Sequence, residues 1–506
     1  MLVYYFRSRL GVDYNWDLQN YHLSSWTLLW RGGYFENISP GGLQSFLSPF
    51  VNGFAVAPYT AFGLTAGGWV IAMIHAVGFA ISVSLLTFLP IRGTPVERFL
   101  TVVVAIYLTV TAAMPAGILG TSFEDNTIAV LLALAAWIAL HGGFRQNFRR
   151  GILVAFVLSL AVSFKATACF FALAHGLAFY MVLISTTENR GGAIREFLLF
   201  GLCSVFFTLA LSAPWMIEVY SQTGNPLFPF ANNLFRSPFY YFSSFMDTQM
   251  LPKTFADFIA YPWTMAIGTA HTSEAPQTDS RYLIACIMLV VAGTWCTRSW
   301  MRGSLEKIDQ ATLFLAIYFL IAFLLWRTFS SVQRYFVFGD LLLAVLIVRV
   351  AAELPWRLMT PALLLVAGVH AMTVHFPEYG RRIPPGGIDQ VLAEPPIVDD
   401  AFVILSEKPM GYAVGLFGAS SRFTVIQPGA PGVDLDLSAT GPFSGRVSKL
   451  IHAKFKDGVW IVLRRAPTDY VLGYLRKFDL SISSDCRDVE TFAETLKLCR
   501  LATRSG

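Results

Sequence analysis

Between residues 64 and 375 the chain passes through one apolar run after another, and runs of this length leave few folds open. A hydrocarbon core about 30 Å thick is crossed by roughly 20 apolar residues in a helix, which satisfies its own backbone donors and acceptors. Such runs lie at 64–90, 98–117, 126–142, 197–215, 282–298, 311–328, 335–352 and 357–375. The stretch 151–185 is too long for one crossing and is interrupted by Lys165. It predicts a hairpin of two shorter helices turning near Ser163–Lys165 and brings the total to about ten crossings. With 55% hydrophobic and 14% charged residues in 506, the composition excludes an ordinary soluble globule. The expected fold class is mainly α, a polytopic transmembrane helical bundle.

Charge gives the bundle a sidedness. Lys and Arg collect in alternate connections: Arg92 and Arg98; Arg145, Arg149 and Arg150; Arg190 and Arg195; Arg298, Arg302 and Lys307; Arg349 and Arg357. By the positive-inside rule these loops are cytoplasmic. Segments 1–63, 118–125 and 216–281, the turn at Lys165, the connection 329–334 and everything after 376 then face outward. The start Met-Leu-Val-Tyr-Tyr-Phe-Arg has no spanning helix of its own, so outward placement of 1–63 requires a preceding helix or passive transfer by the first one; a preceding helix is the expectation. Residues 43–60, Pro-interrupted and too short to span, read as an interfacial or re-entrant helix. The net charge of +5 is scattered over short loops, which argues against nucleic acid as a partner.

Beyond residue 380 the composition turns mixed and charged after a Pro384-Pro385-Gly386-Gly387 linker. The expected division is a membrane domain over 1–380 and a small periplasmic α+β domain over 381–506. Phe402–Leu405, Phe423–Ile426 and Val459–Leu463 read as short strands and 487–500 as a helix. Cys486 and Cys499 either close a disulfide loop or remain free. Cys169, Cys203, Cys286 and Cys296 sit in apolar runs as packing residues.

The outward segments carry the candidate chemistry. Asp17 lies in the polar cluster 13–22, Asp-Tyr-Asn-Trp-Asp-Leu-Gln-Asn-Tyr-His, beside Gln19, Asn20 and His22; Glu124 and Asp125 close the next outward loop. Acids on one membrane face suit general base work and substrate or metal binding. Acids in loops are also often only solvated, and Glu124 and Asp125 at a helix start are explained equally by the helix dipole. Lys165 within an apolar stretch needs a partner, a water-filled cavity or an interface to snorkel to. The segment Thr223-Gly224-Asn225-Pro226-Leu227-Phe228-Pro229-Phe230 should form part of a structured cap, and Arg334, in Gln333-Arg334-Tyr335 at a helix start, suits two-point binding of a phosphate.

These acids, the Gly-Asn-Pro-Leu-Phe-Pro segment and the Gln-Arg-Tyr near the last helices, in this order and on one face, resemble the GT-C superfamily of integral membrane glycosyltransferases. The Asp-Leu-Gln-Asn-Tyr-His segment is similar to bacterial members of undefined acceptor specificity. The resemblance covers roughly 15–375 and implies transfer of a sugar from a polyprenyl-phosphate donor to a glycan or lipid acceptor of the cell envelope, at the periplasmic face of the inner membrane. By the same resemblance Asp17 is the base, Glu124 or Asp125 orients acceptor or donor, and Arg334 holds the donor phosphate with Lys165 as a second cation. Gln19, Asn20, His22 and Asn225 contribute to substrate binding. No metal ligand set is recognised, and a divalent cation remains a possible cofactor. A transporter or flippase for lipid-linked glycans is the alternative. It would place ionisable groups near the midplane, whereas these acids lie at one face. A non-catalytic anchor for the C-terminal domain would leave the cluster around Asp17 without a role.

Overall fold

The computed structural model describes residues 11–91, 93–243, 248–290, 309–354, 356–383, 387–428 and 434–503. Arg92, Cys296, Arg298, Arg302, Lys307, the linker residues Pro384, Pro385 and Gly386, the second half of the run 282–298 and the side chain of Arg357 lie outside the described residues.

After a short, mostly buried first helix, α1 (Leu23–Trp30), the apolar runs fold as helices: α2 (Ala57–Ser84), α3 (Pro95–Val110), α4 (Asp125–His141), α5 (Phe148–Phe164), α6 (Cys169–Thr186), α7 (Arg190–Thr223), the stretch Arg281–Val290, α8 (Gln310–Phe329), α9 (Val337–Ala351) and α10 (Trp356–Thr373). Local chemistry sets their starts. Thr94 and Glu97 form a capping box before α3, and the side chains of Asn147, Asn189 and Asp309 accept the first free amides of α5, α7 and α8. The α5–α6 hairpin breaks where the sequence places it, because Lys165 leaves the helix for an extended conformation.

Among the described residues four stretches, Asn52–Phe88, Ala166–Thr186, Arg190–Thr223 and Gln310–Phe329, are long and apolar enough to cross a membrane, which makes the chain an integral membrane protein. α3, α4, α5 and α9 have 16, 17, 17 and 15 residues. At 1.5 Å per residue they reach only about 23–26 Å, short of the expected spans. α3 stops at Val110 because the chain turns into the short helix Ala113–Gly117. Residues 43–60 do not make a separate re-entrant helix: a 3-10 turn at Gly42–Phe46 and one helical turn at Asn52–Ala55 lead directly into α2. Cys169 and Cys286 are exposed on outward faces rather than packed inside, and Cys203 is half-buried.

The connections sort to two ends of the bundle. At one end Gln146 donates to Asn189 O, Asn147 N to Glu196, and Arg349 pairs with Asp309. At the other end Asn15 donates to Ser122, Arg381 to the carbonyls of Gly117 and Leu119, and Thr278 pairs with His375. The described basic loops therefore share one end, and the acid-bearing segments share the other.

The C-terminal unit is built on a five-stranded sheet of order β2-β1-β3-β5-β4, with β1 (Phe402–Leu405), β2 (Arg422–Val425), β3 (Val459–Leu463), β4 (Leu480–Glu490) and β5 (Thr495–Thr503). β1 runs parallel to β2 and β3, and the β4–β5 hairpin is antiparallel. α11 (Ser444–Ile451) and α12 (Asp469–Lys477) accompany it. The expected helix over 487–500 is instead this hairpin. Its second strand alternates inward Leu496 and Leu498 with outward Lys497, a period of two that the charged residues obscure. Cys486 and Cys499 are opposite one another across it and form a disulfide. The apolar core of this unit is continuous with Leu18, Leu23, Leu28, Tyr59 and Trp215, so the sheet is packed onto the acid-bearing end of the bundle.

Candidate functional site

Segment 13–22 enters the fold through Asp13, a fully buried carboxylate. It accepts hydrogen bonds from Ser122 N at 2.7 Å, Tyr59 OH at 3.1 Å and Asn15 Nδ2 at 2.6 Å. These bonds stitch the first outward segment to the loop carrying Glu124 and Asp125, which orphaned backbone amides in a buried loop require. Leu18–His22 then forms a π turn, closed by Leu23 N to Leu18 O. Such turns widen the helix locally and occur often at functional sites. Asp17 stands at its start.

Asp17 meets Arg334, 317 residues away, with Nη1 to Oδ2 at 2.6 Å. Both side chains are mostly buried, and the guanidinium is flanked by the rings of Phe123 at 4.8 Å and Tyr335 at 5.4 Å. Its other edge reaches Glu274 Oε1 at 3.6 Å. Lys165, held out between α5 and α6, places Nζ 2.8 Å from Asp125 Oδ1 and 3.8 Å from Glu124 Oε2, and 4.9 Å from the Tyr335 ring. His22 Nε2 is 3.6 Å from Glu124 Oε1. Tyr335 thus separates two cations, and four carboxylates surround them.

Electrostatics divides the acids. Burial alone would raise the Asp17 carboxyl, but the Arg334 guanidinium overrides it and holds the group below the ordinary carboxylate value. Glu124 is pushed up to about 7 because burial outweighs the help of Lys165, and Asp125 and Asp17 add repulsion. Burial drives His22 down to about 3, so the imidazole is neutral near pH 7 and acts as a hydrogen-bonding ring rather than a cation. Burial also disfavours the Lys165 ammonium, yet Asp125 and Glu124 keep its proton bound above the ordinary lysine value.

Gln333, the residue before Arg334, is held by a network not foreseen in the sequence. Gln333 is fully buried; its carbonyl accepts from Tyr261 OH at 2.5 Å, and its amide lies 3.0 Å from Tyr282 OH and 3.1 Å from Asp340. Asp340 also accepts from Tyr282 OH at 2.5 Å, while the fully buried Arg281 donates to Asp279 and to the carbonyls of Leu108 and Asp340. Asp279-Ser280-Arg281 at the entry to an apolar run is the signal that could have revealed it. Glu274 and Tyr379, joined at 3.2 Å beside Arg334, carried no such cue.

Of the residues singled out in the sequence, the structure brings together Asp17, His22, Glu124, Asp125, Lys165 and Arg334. Gln19 and Asn20 serve the segment itself, donating to Tyr14 O at 2.8 Å and Gly41 O at 3.1 Å. Asn225 organises its own loop, donating to Phe230 O and Asn232 and accepting from Leu227 N. Asn232 completes that cap with bonds to the carbonyls of Ser237, Tyr240 and Tyr241. Among the described residues no group of three or more His, Cys, Asp or Glu side chains is arranged to hold a metal ion; the clustered carboxylates face Arg334 and Lys165 instead.

No family model matches the chain, and no curated protein matches its sequence. Solved structures do match. The crystal structure of the GT-C glycosyltransferase ArnT from Cupriavidus metallidurans bound to undecaprenyl phosphate superposes with a TM-score of 0.55 over 100% of this chain and 97% of that one, at 13% identity. The apo state of the same protein gives 0.42 over 100% and 96%, at 14% identity. With an apolar bundle, a polar cluster under its capped end and a small sheet domain seated there, the chain has a GT-C-like fold.

Proposed function

We propose that this chain is a glycosyltransferase that moves a sugar from a polyprenyl-phosphate-linked donor to a cell-envelope acceptor at the periplasmic face of the bacterial inner membrane. The observation that carries the reading is the convergence of Asp17, Glu124 and Asp125 with Arg334 and Lys165 at one end of an apolar bundle. Most of these groups are buried, and buried charge of both signs is costly unless it serves a site. The likeness to ArnT, solved with undecaprenyl phosphate, supports the donor class.

In this reading the donor phosphate binds Arg334, whose Nε has no partner among the described residues and whose planar fork suits a phosphate. Lys165 adds a second positive charge. The acceptor oxygen attacks the anomeric carbon from the face opposite the phosphate; the C–O bond to phosphate breaks, and its electron pair leaves with the polyprenyl phosphate. Asp17 takes the hydroxyl proton, freed for this role as the donor phosphate, which gains its second negative charge while the C–O bond breaks, competes for its guanidinium partner. Glu124, near half-protonation at neutral pH, orients the acceptor. For the lipid tail an apolar groove of about 670 Å³ lies between α2 and α3, lined by Phe79, Val83, Leu86, Val102 and Ile106. The basic loops at the far end of the bundle favour a periplasmic site.

Purified protein given a polyprenyl phosphate carrying a radiolabelled sugar, with envelope extract as acceptor, should transfer label to it. Protein in liposomes that moves a lipid-linked glycan across the bilayer without transferring label would replace this reading with the flippase.

A further inference from the structure

Between Gly11 and Leu29 every side chain is buried or half-buried except that of Trp16, which is 45% exposed and directly precedes Asp17. The indole is thus left open to solvent beside a mostly buried carboxylate. Lys408 of the C-terminal unit stands over the ring, with Nζ 5.5 Å from its centroid. That ammonium is held in place by Asp434 Oδ1 at 3.0 Å and Gln44 Oε1 at 3.3 Å, and its side chain is only 11% exposed.

The sheet's topology explains why a residue of that unit reaches this spot. Lys408 and Gln427 lie just beyond the carboxyl ends of the parallel strands β1 and β2, and both come so close to Gly42 that a Cβ there would lie 2.7 Å from each. Gly42 has φ +66°, a backbone conformation glycine adopts without strain. Past the end of β3, Arg464 donates to Pro409 O at 2.8 Å and fixes the Lys408 loop. The carboxyl edge of parallel strands is where open α/β sheets bind ligands, and here that edge is turned toward Trp16.

We propose that Trp16 and Lys408 form the acceptor subsite, in which the C–H face of a neutral saccharide ring stacks on the indole and a ring hydroxyl takes the remaining ammonium hydrogen of Lys408. This rests on the glycosyltransferase reading. The class is a neutral saccharide rather than a phosphate because Asp434 already balances the lysine charge, while the guanidinium donor that lacks a partner among the described residues, Nε of Arg334, lies on the donor side of the cluster. Lys408 lies within electrostatic reach of Asp17, so a ring held between Trp16 and Lys408 is brought near that carboxylate. The C-terminal unit then selects the acceptor, and the bundle holds the donor.

The test uses the full chain in nanodiscs, a polyprenyl phosphate carrying a radiolabelled sugar, and fractionated envelope extract as acceptor. Undecaprenyl phosphate binding is measured separately. Trp16→Ala should raise the half-saturating acceptor concentration by roughly tenfold or more, as loss of a stacking face does elsewhere, with undecaprenyl phosphate affinity unchanged. Trp16→Phe should keep most of the wild-type affinity, and Lys408→Gln, which leaves the indole intact, should give a smaller rise of the same sign. Wild-type acceptor saturation in Trp16→Ala and Lys408→Gln overturns the subsite while leaving the glycosyltransferase reading in place. A matching loss of undecaprenyl phosphate affinity overturns the subsite too, since the indole would then serve the donor. Absence of transfer by the wild type overturns both.

Discussion

The pairing of Asp17 with Arg334 can be tested without knowing the substrate. Arg334→Met removes the guanidinium but keeps an unbranched apolar stem between the rings of Phe123 and Tyr335. The two side chains are 12% and 15% exposed and approach to 2.6 Å, so removal of one partner strands a mostly buried charge, at a cost of about 3–5 kcal/mol. A Coulomb estimate agrees: two unit charges about 4 Å apart at an effective dielectric near 20 interact by roughly 4 kcal/mol. The sign with pH follows. In the wild type the Asp17 carboxyl is lowered, so the stability it contributes is present above the ordinary carboxylate value and is lost as pH falls through the lowered one. In Arg334→Met burial governs, the carboxyl rises, and protonation on acidification relieves the stranded charge. The stability gap between wild type and variant should therefore be largest near neutral pH and narrow toward pH 5. Asp17→Asn placed on Arg334→Met should recover part of the loss, with a coupling of at least about 1 kcal/mol in reversible unfolding of the purified protein. Additive effects within about 0.5 kcal/mol and a gap indifferent to pH would show that the two side chains do not hold each other.

How much of this was legible in the sequence depended on the range of the physics involved. The turn at Lys165 could be read because one charge inside an apolar run has few tolerable positions, and the structure breaks the helix there. The common end of Asp17, Glu124 and Arg334 could be read from loop parity, although their contact could not, since no spacing links residues 317 apart. The π turn at Leu18–His22 has no composition signature. Asp13 stood in the same polar cluster but was passed over for Asp17, because a carboxylate that binds backbone amides looks in sequence like one that binds substrate. Asn225 has a local role that its Gly-Asn-Pro setting already signals: the segment turns there, and its amide serves that turn. The 487–500 segment failed for a different reason, since a short strand whose outward face is charged mimics an amphipathic helix until the opposing Cys486 strand is known.

Three further outcomes follow from the same geometry. In a background with the free cysteines replaced, a cysteine at exposed Asn233 should react with an impermeant reagent in intact spheroplasts and one at exposed Arg145 only after permeabilisation; the reverse pattern would turn the site to the cytoplasm. Arg334→Lys keeps the charge and loses the planar fork, so apparent donor affinity should fall with the protein still inserted; wild-type donor saturation would make Arg334 an anchor of the fold only. The last outcome concerns which carboxylate takes the acceptor proton. The acting base must be unprotonated in the free enzyme, and kcat/KM reports its pKa there. Asp17 is held low by Arg334, whereas Glu124 is pushed up to about 7 by burial. If Asp17 is the base, kcat/KM shows no acid limb near pH 7 arising from proton abstraction, and Asp17→Asn lowers turnover by roughly 10²-fold or more. If Glu124 is the base, kcat/KM drops about tenfold per unit below pH 7, and the limb disappears in a slow Glu124→Gln enzyme. A limb near 7 that Glu124→Gln abolishes, together with near wild-type turnover in Asp17→Asn, would move the proton to Glu124 and leave Asp17 the task of holding Arg334.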